Sequence, residues 1–190
     1  AGPAALVVCG DGKADLIAKG RPAPLLKRLL ATGVRVLAVD VLGVGDTAKS
    51  LERSTRDLSD PIFDAFNPSL LSMRVQDVLT ALEALLVYEK PKRVSLYGAG
   101  EGARWALLAL PLARGVREAE MDLRGVRRDE AGWSGEAYHP LILKAGELRT
   151  AIALACPVAL KLAGADRELA GWARAVYRAA GKGASLHVGA

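Results

Sequence analysis

Continuous apolar runs and helically spaced apolar positions take turns along the chain. Ala5-Leu6-Val7-Val8-Cys9 is an apolar run closed by Gly10-Asp11-Gly12, which reads as a buried strand followed by a turn. Pro24 to Thr32 reads as a helix stopped by Gly33. Val34 to Val41 is the next strand, ending in the turn-rich Gly43-Val44-Gly45-Asp46. The polar stretch from Lys49 to Pro68, with Pro61 and Asn67-Pro68, reads as a long loop. Leu71, Val75, Val78, Leu79, Leu82, Leu85 and Leu86 then recur at helical spacing over about four turns.

Arg93 to Tyr97 reads as a strand, Gly98 to Gly102 as a tight turn and Ala103 to Ala113 as a helix without a polar face, which is expected to be buried on most sides. Glu118 to Leu123 is a weaker strand, and Gly125 to Ala155 reads as irregular. Pro157 to Leu162 is a strand, Arg167 to Ala180 a helix and Ala184 to Val188 a last strand. There is no internal repeat and no low-complexity segment.

Alternating strands and helices predict a three-layer α/β/α sandwich around a mainly parallel sheet covered on both faces. Right-handed crossovers bring the strand-to-helix turns to one sheet edge, where open α/β folds bind ligands. The turns on that edge are Gly10–Gly12, Gly43–Thr47, Gly98–Gly102, Asp122–Gly125 and Gly164–Asp166.

Composition narrows the function classes. The 190 residues, 51% hydrophobic and 25% charged, suit one globular domain spanning 1–190. No apolar run approaches the ~18 residues of a membrane span. The formal charge is +5, but the densest basic region, Arg114 to Arg128, also holds Glu118, Glu120 and Asp122. No basic stripe is interleaved with aromatics, which argues against a nucleic-acid partner. Cys9 and Cys156 read as lone buried thiols of a reducing compartment. Two histidines and two cysteines, far apart in sequence, make no metal-ligand spacing, and no metal or other cofactor is expected. The chain opens on Ala1-Gly2-Pro3 without an initiator Met and runs directly into a strand, which reads as a piece of a longer protein. Another domain of that parent is therefore an expected partner.

The turn Gly98-Ala99-Gly100-Glu101-Gly102 admits three readings. As a nucleophile elbow, G-x-S-x-G, it keeps the outer glycines but has Gly100 where the serine would stand. As a dinucleotide fingerprint, Gly98, Gly100 and Ala103 fit G-x-G-x-x-A, with Asp122 about 20 residues on as the ribose-binding carboxylate. As a structural turn, it is a close strand–helix junction with no ligand.

Longer segments bear on the choice. Val34-Arg35-Val36-Leu37-Ala38-Val39-Asp40-Val41-Leu42-Gly43-Val44-Gly45-Asp46 resembles the second core strand of α/β-hydrolases: a hydrophobic strand, an Asp, then a Gly-x-Gly turn. Phe66 to Leu71, Arg74 to Leu82, Gly98 to Leu108, Leu143 to Leu148 and Ala153 to Pro157 resemble one branch of that superfamily. That branch is the bacterial acetyl xylan esterase-like proteins, related more loosely to dienelactone hydrolase. The resemblance implies an α/β-hydrolase fold, carboxyl-ester chemistry and a small acyl or carbohydrate ester as ligand.

It also places the machinery. The acid position after the penultimate strand is Asp166, which reads equally well as the cap of the following helix. The base belongs after the last strand, where His187 stands inside the strand and is a weak candidate. His139 lies in the irregular segment. The oxyanion donors would be the backbone amide of Glu101 and one from the Gly10–Gly12 turn, Gly10 or Asp11. Cys9, at the end of the adjacent strand, is an alternative nucleophile if its pKa is lowered. The nucleophile position itself is vacant at Gly100. The expected protein is a degenerate esterase-like domain that binds or scaffolds. An active carboxyl-ester hydrolase with an unconventional site, or a dinucleotide-binding domain, remains the alternative.

Overall fold

A computed structural model describes residues 2–52 and 62–189. Strand β1 (Ala4–Cys9) leads through a two-stranded hairpin, β2 (Ile17–Ala18) and β3 (Arg21–Pro22), into helix α1 (Pro24–Ala31) and strand β4 (Arg35–Val39). Short helices α2 (Ala48–Glu52) and α3 (Phe63–Phe66) precede the long α4 (Leu70–Glu89). Then follow β5 (Val94–Ala99), α5 (Glu101–Ala109), β6 (Val116–Asp122), α6 (Glu147–Ala155), β7 (Ala159–Ala163), α7 (Arg167–Ala179) and β8 (Leu186–Val188).

Six strands form one sheet in the order β4-β1-β5-β6-β7-β8, and every neighbouring pair is parallel. All six residues of β1 are buried. That suits its unbroken apolar run, because a strand paired on both edges and covered on both faces has no polar side. The strand order reverses between β1 and β5, so the crevice beyond their carboxyl ends is where a ligand fits.

The two faces of the sheet are unequal. On one, Leu6, Val8, Leu96, Met121, Leu160 and Leu162 pack under α4, α5, α6 and α7 in a single core. Tyr177 anchors α7 there, wholly buried, its hydroxyl donating to the Val158 carbonyl at 2.8 Å. On the other face, α1 covers Ala5, Val7, Cys9 and Tyr97 through Leu29. Beyond α1, the strands carry Glu118, Glu120, Lys161 and His187 on that side, all exposed or half-buried. The α/β sandwich expected from the sequence is present, but among the described residues its second helical layer stops after β5. The cause is readable in β6 and β7: apolar Ala119, Met121, Leu160 and Leu162 alternate with charged neighbours, the pattern of a strand with one wet face.

Two elements differ from the sequence reading. Residues 147–155, expected to be irregular, form α6. Its start is hidden because Gly146 and Glu147 both have positive φ and no side chain caps the helix. The loop expected from Lys49 to Pro68 contains part of α2 and all of α3, and residues 53–61 of it lie outside the described residues. The weaker strand expected from Glu118 to Leu123 is present as β6, starting two residues earlier at Val116 and lying between β5 and β7. No described helix is long and apolar enough to cross a membrane.

Candidate functional site

Close backbone approach shapes the turn at the end of β5. A Cβ on Gly98 would stand 2.5 Å from the Ala103 Cα, and one on Gly102 would overlap the Val8 carbonyl. The outer glycines are therefore required by packing. Gly100 is different. Its backbone lies at φ 58° and ψ −136°, a region that residues with side chains occupy under strain, yet a Cβ there would meet nothing within 4 Å. The sharp turn thus presents a bare backbone position to open space.

A cleft of about 570 Å³ lies at this edge of the sheet. Gly10 and Asp11 line it from the turn after β1, Gly43 to Gly45 from the turn after β4, and Glu101 from the start of α5. Gly10 donates to the Ala99 carbonyl at 3.0 Å and Gly12 to the Cys9 carbonyl at 3.3 Å. The Asp11 amide between them, like the Glu101 amide in the first turn of α5, has no backbone acceptor among the described residues. The backbone donors expected from the sequence therefore share one cleft.

Asp40 ties the first two turns together. Its side chain, 3% exposed, lies 3.0 Å from the Lys13 ammonium and accepts the Lys13 amide at 2.6 Å and the Asp46 amide at 3.0 Å. Burial opposes its charge, but these donors outweigh burial and hold the carboxyl below the ordinary carboxylate range. The next peptide is held from α4. Asp77 accepts the Leu42 amide at 2.8 Å, and Arg74 Nε donates to the Leu42 carbonyl at 2.9 Å. The same Arg74 lies over the Trp105 ring at 4.8 Å and donates to Glu136 at 2.9 Å across the cleft.

Arg104 forms part of the cleft wall from the first turn of α5 and is 1% exposed. Its guanidinium stacks on Trp133 at 4.2 Å, its Nη2 donates to the Arg127 carbonyl at 2.7 Å, and its Nε lies 2.8 Å from the Glu101 carboxylate.

The side chains expected to do chemistry lie elsewhere. Asp166 caps α7, accepting the Leu169 amide at 2.8 Å, and is paired with Arg128. Burial opposes its charge, while the Leu169 amide and the Arg128 guanidinium draw the carboxyl below its usual range. Asp166 lines a separate depression that shares Arg127 with the cleft. His187 stands on β8 opposite Lys161, three strands from β5. His139 Nδ1 is 2.8 Å from the hydroxyl of Ser69, the residue that caps α4. Neither histidine lines the cleft. Ser134 does, and its hydroxyl donates to the Ala131 carbonyl at 2.7 Å.

Cys9 is opposite Ala99 in the β1–β5 register, beside the Gly98–Gly102 turn. Its thiol is buried, and burial, reinforced by Asp15, Asp11 and Asp40, pushes its pKa up to about 11. Such a thiol is a poor source of thiolate. Asp122, at the ribose position of the dinucleotide reading, is taken up by Arg124, whose Nε lies 2.8 Å from it. In chain order the sheet runs second strand, first, third, fourth, fifth, sixth, which is the flavodoxin-type winding and not the 3-2-1-4-5-6 dinucleotide order. Among the described residues no cluster of His, Cys, Asp or Glu could hold a metal ion.

Sequence reasoning passed over Arg74, Arg104 and Trp133, and for the arginines a signal existed. Arg104 is a lone charge within the apolar stretch of α5, and Arg74 falls four residues after Leu70 and four before Val78, on the buried stripe of α4. A charge on a buried stripe has to meet a partner.

No family model matches this chain, and no curated protein matches it. Solved structures do. A candidate acetyl xylan esterase of Bacteroides fragilis superposes with a TM-score of 0.70 at 17% identity, over 98% of this chain and 58% of that one. The methylesterase BT1017 gives 0.70 at 15% identity, over 99% and 43%. A Pyrococcus horikoshii acylaminoacyl peptidase gives 0.64 at 14% identity, over 99% and 32%. This chain thus spans less than two thirds of each of the three, and what they share with it is the fold.

Proposed function

From the α/β-hydrolase fold that this chain shares with those esterases, we propose that it is a hydrolase-like domain without ester chemistry of its own, serving as a binding module. The observation that carries this reading is Gly100: the turn after β5 is sharp, and the residue at its centre has no side chain that could attack an ester. Deleting a triad member from a serine hydrolase leaves a residual rate from oxyanion donors and binding alone. Here the further partners are also engaged elsewhere, Asp166 by Arg128 and His139 by Ser69. The cleft and its backbone donors remain, so a small acyl or carbohydrate ligand has a place to bind, and a neighbouring domain of a longer parent is the proposed setting.

The test is hydrolysis of p-nitrophenyl acetate by the chain, by Asp166→Ala and by Cys9→Ala. The expected rate equals that of buffer in all three. Turnover above buffer that either substitution abolishes would sink the reading and restore an unconventional hydrolase.

A further inference from the structure

Among the described residues, the buried side-chain nitrogens and oxygens without a hydrogen-bond partner are three: Arg104 Nε, Arg104 Nη1 and Trp133 Nε1. All three are donors, and they belong to two side chains stacked on each other. A buried donor left unmade costs about 1–3 kcal/mol, and native proteins leave few of them. What this corner lacks is therefore an acceptor. Glu101 fills the role in part: its carboxylate is 2.8 Å from Arg104 Nε, without hydrogen-bond alignment, and accepts from Nη2 at 3.1 Å. Nη1 is left over.

Arg104 also lines the cleft at the head of the nine-residue α5, where first-turn amides favour negative charge. We propose that the cleft is a seat for a carboxylate-bearing small molecule, held by Arg104 in exchange for Glu101. The inference rests on the binding-module reading and names the ligand class for that same cleft. The charge balance selects a carboxylate over a phosphate. Arg74, Arg104 and Arg127 line the cleft together with Asp11, Glu101 and Glu136, so the lining is formally neutral and tolerates one added negative charge better than two.

The exchange sets the test. Backbone amide NMR spectra of the chain and of Glu101→Gln are followed during titration with sodium propionate and sodium benzoate. Benzamide serves as the neutral match to benzoate, and sodium sulfate and phosphate are compared at equal ionic strength. The expected result is a saturable shift of the Asp11, Glu101 and Gly102 amides with the carboxylates and none with benzamide. Glu101→Gln, which removes the competing charge but not the side chain, is expected to bind about tenfold more tightly. Arg104→Lys, if it folds, is expected to lose the response. Absence of a saturable shift, an unchanged affinity in Glu101→Gln, or equal binding of sulfate or phosphate would overturn the proposal. These readouts are independent of ester turnover, so the seat can fail while the non-catalytic reading stands, and the reverse.

Discussion

Arg128 holds Asp166 in an ion pair while its other edge grips Glu147, with Nη2 2.5 Å and Nε 3.1 Å from that buried carboxylate. The Asp166 carboxylate is thus taken up by a guanidinium that is itself anchored on Glu147. Asp166→Ala is expected to lose the α7 cap and destabilise the chain by about 0.5–2 kcal/mol. Arg128→Met is expected to do more, about 3–5 kcal/mol, because it leaves Glu147 buried with Arg149 as its remaining ionic partner. Urea denaturation orders the two. Equal losses would mean that Glu147 does not depend on Arg128.

Placing a serine at Gly100 is expected to confer no turnover. Gly100→Ser places a side chain in open space but at φ 58°, for about 1–3 kcal/mol of strain. The p-nitrophenyl acetate rate is expected to stay at that of buffer, since no histidine lines the cleft. Gly102→Ala, whose methyl would overlap the Val8 carbonyl, is expected to be the more destabilising of the two in a thermal melt.

The Asp40 carboxyl is held below its ordinary range, so the unfolded chain takes up this proton at a higher pH than the folded one. Its contribution is then complete above the unfolded value of about 3.9 and fades as pH falls through the lower folded value. Asp40→Asn is expected to cost about 1–3 kcal/mol at pH 7. The gap between wild type and variant should close as urea midpoints are followed down through pH 4. A gap independent of pH would show that the charge of Asp40 contributes nothing.

The Cys9 thiol, buried and raised to about 11, is expected to resist iodoacetamide at pH 8 in the folded protein. It should react at an ordinary thiol rate once urea unfolds the chain. Peptide mapping after alkylation distinguishes it from half-buried Cys156. Rapid labelling of native Cys9 would contradict its burial.

Most of the strand–helix alternation is visible in the sequence because period and turn residues coincide there. Leu71 to Leu86 marks α4, and Ala5 to Cys9 marks β1. What hides is what depends on contacts distant in sequence. Helix α6 begins on a residue with positive φ and no capping side chain, so no local cue announces it. At the site, the turns that hold Gly98 to Gly102, Gly10, Asp11 and Glu101 are legible from the strand–helix alternation and its glycines, and the donor role of Gly10, Asp11 and Glu101 comes from the family resemblance. The pairing of Asp166 with Arg128, 38 residues away, is not legible there, and neither is the stacking of Arg104 on Trp133. Ion pairs depend on where long side chains end, and hydropathy carries no record of that.

Both walls of the cleft are hung from one helix. Through Arg74 and Asp77, α4 grips the Leu42 peptide below the Gly43–Gly45 wall; through Arg74 it also holds Glu136, which lines the cleft as well. The aperture is therefore calibrated by α4, as the jaws of a caliper share one beam. A displacement of that helix would carry the Leu42 turn, Glu136 and, through the Arg74–Trp105 stack, the head of α5 together.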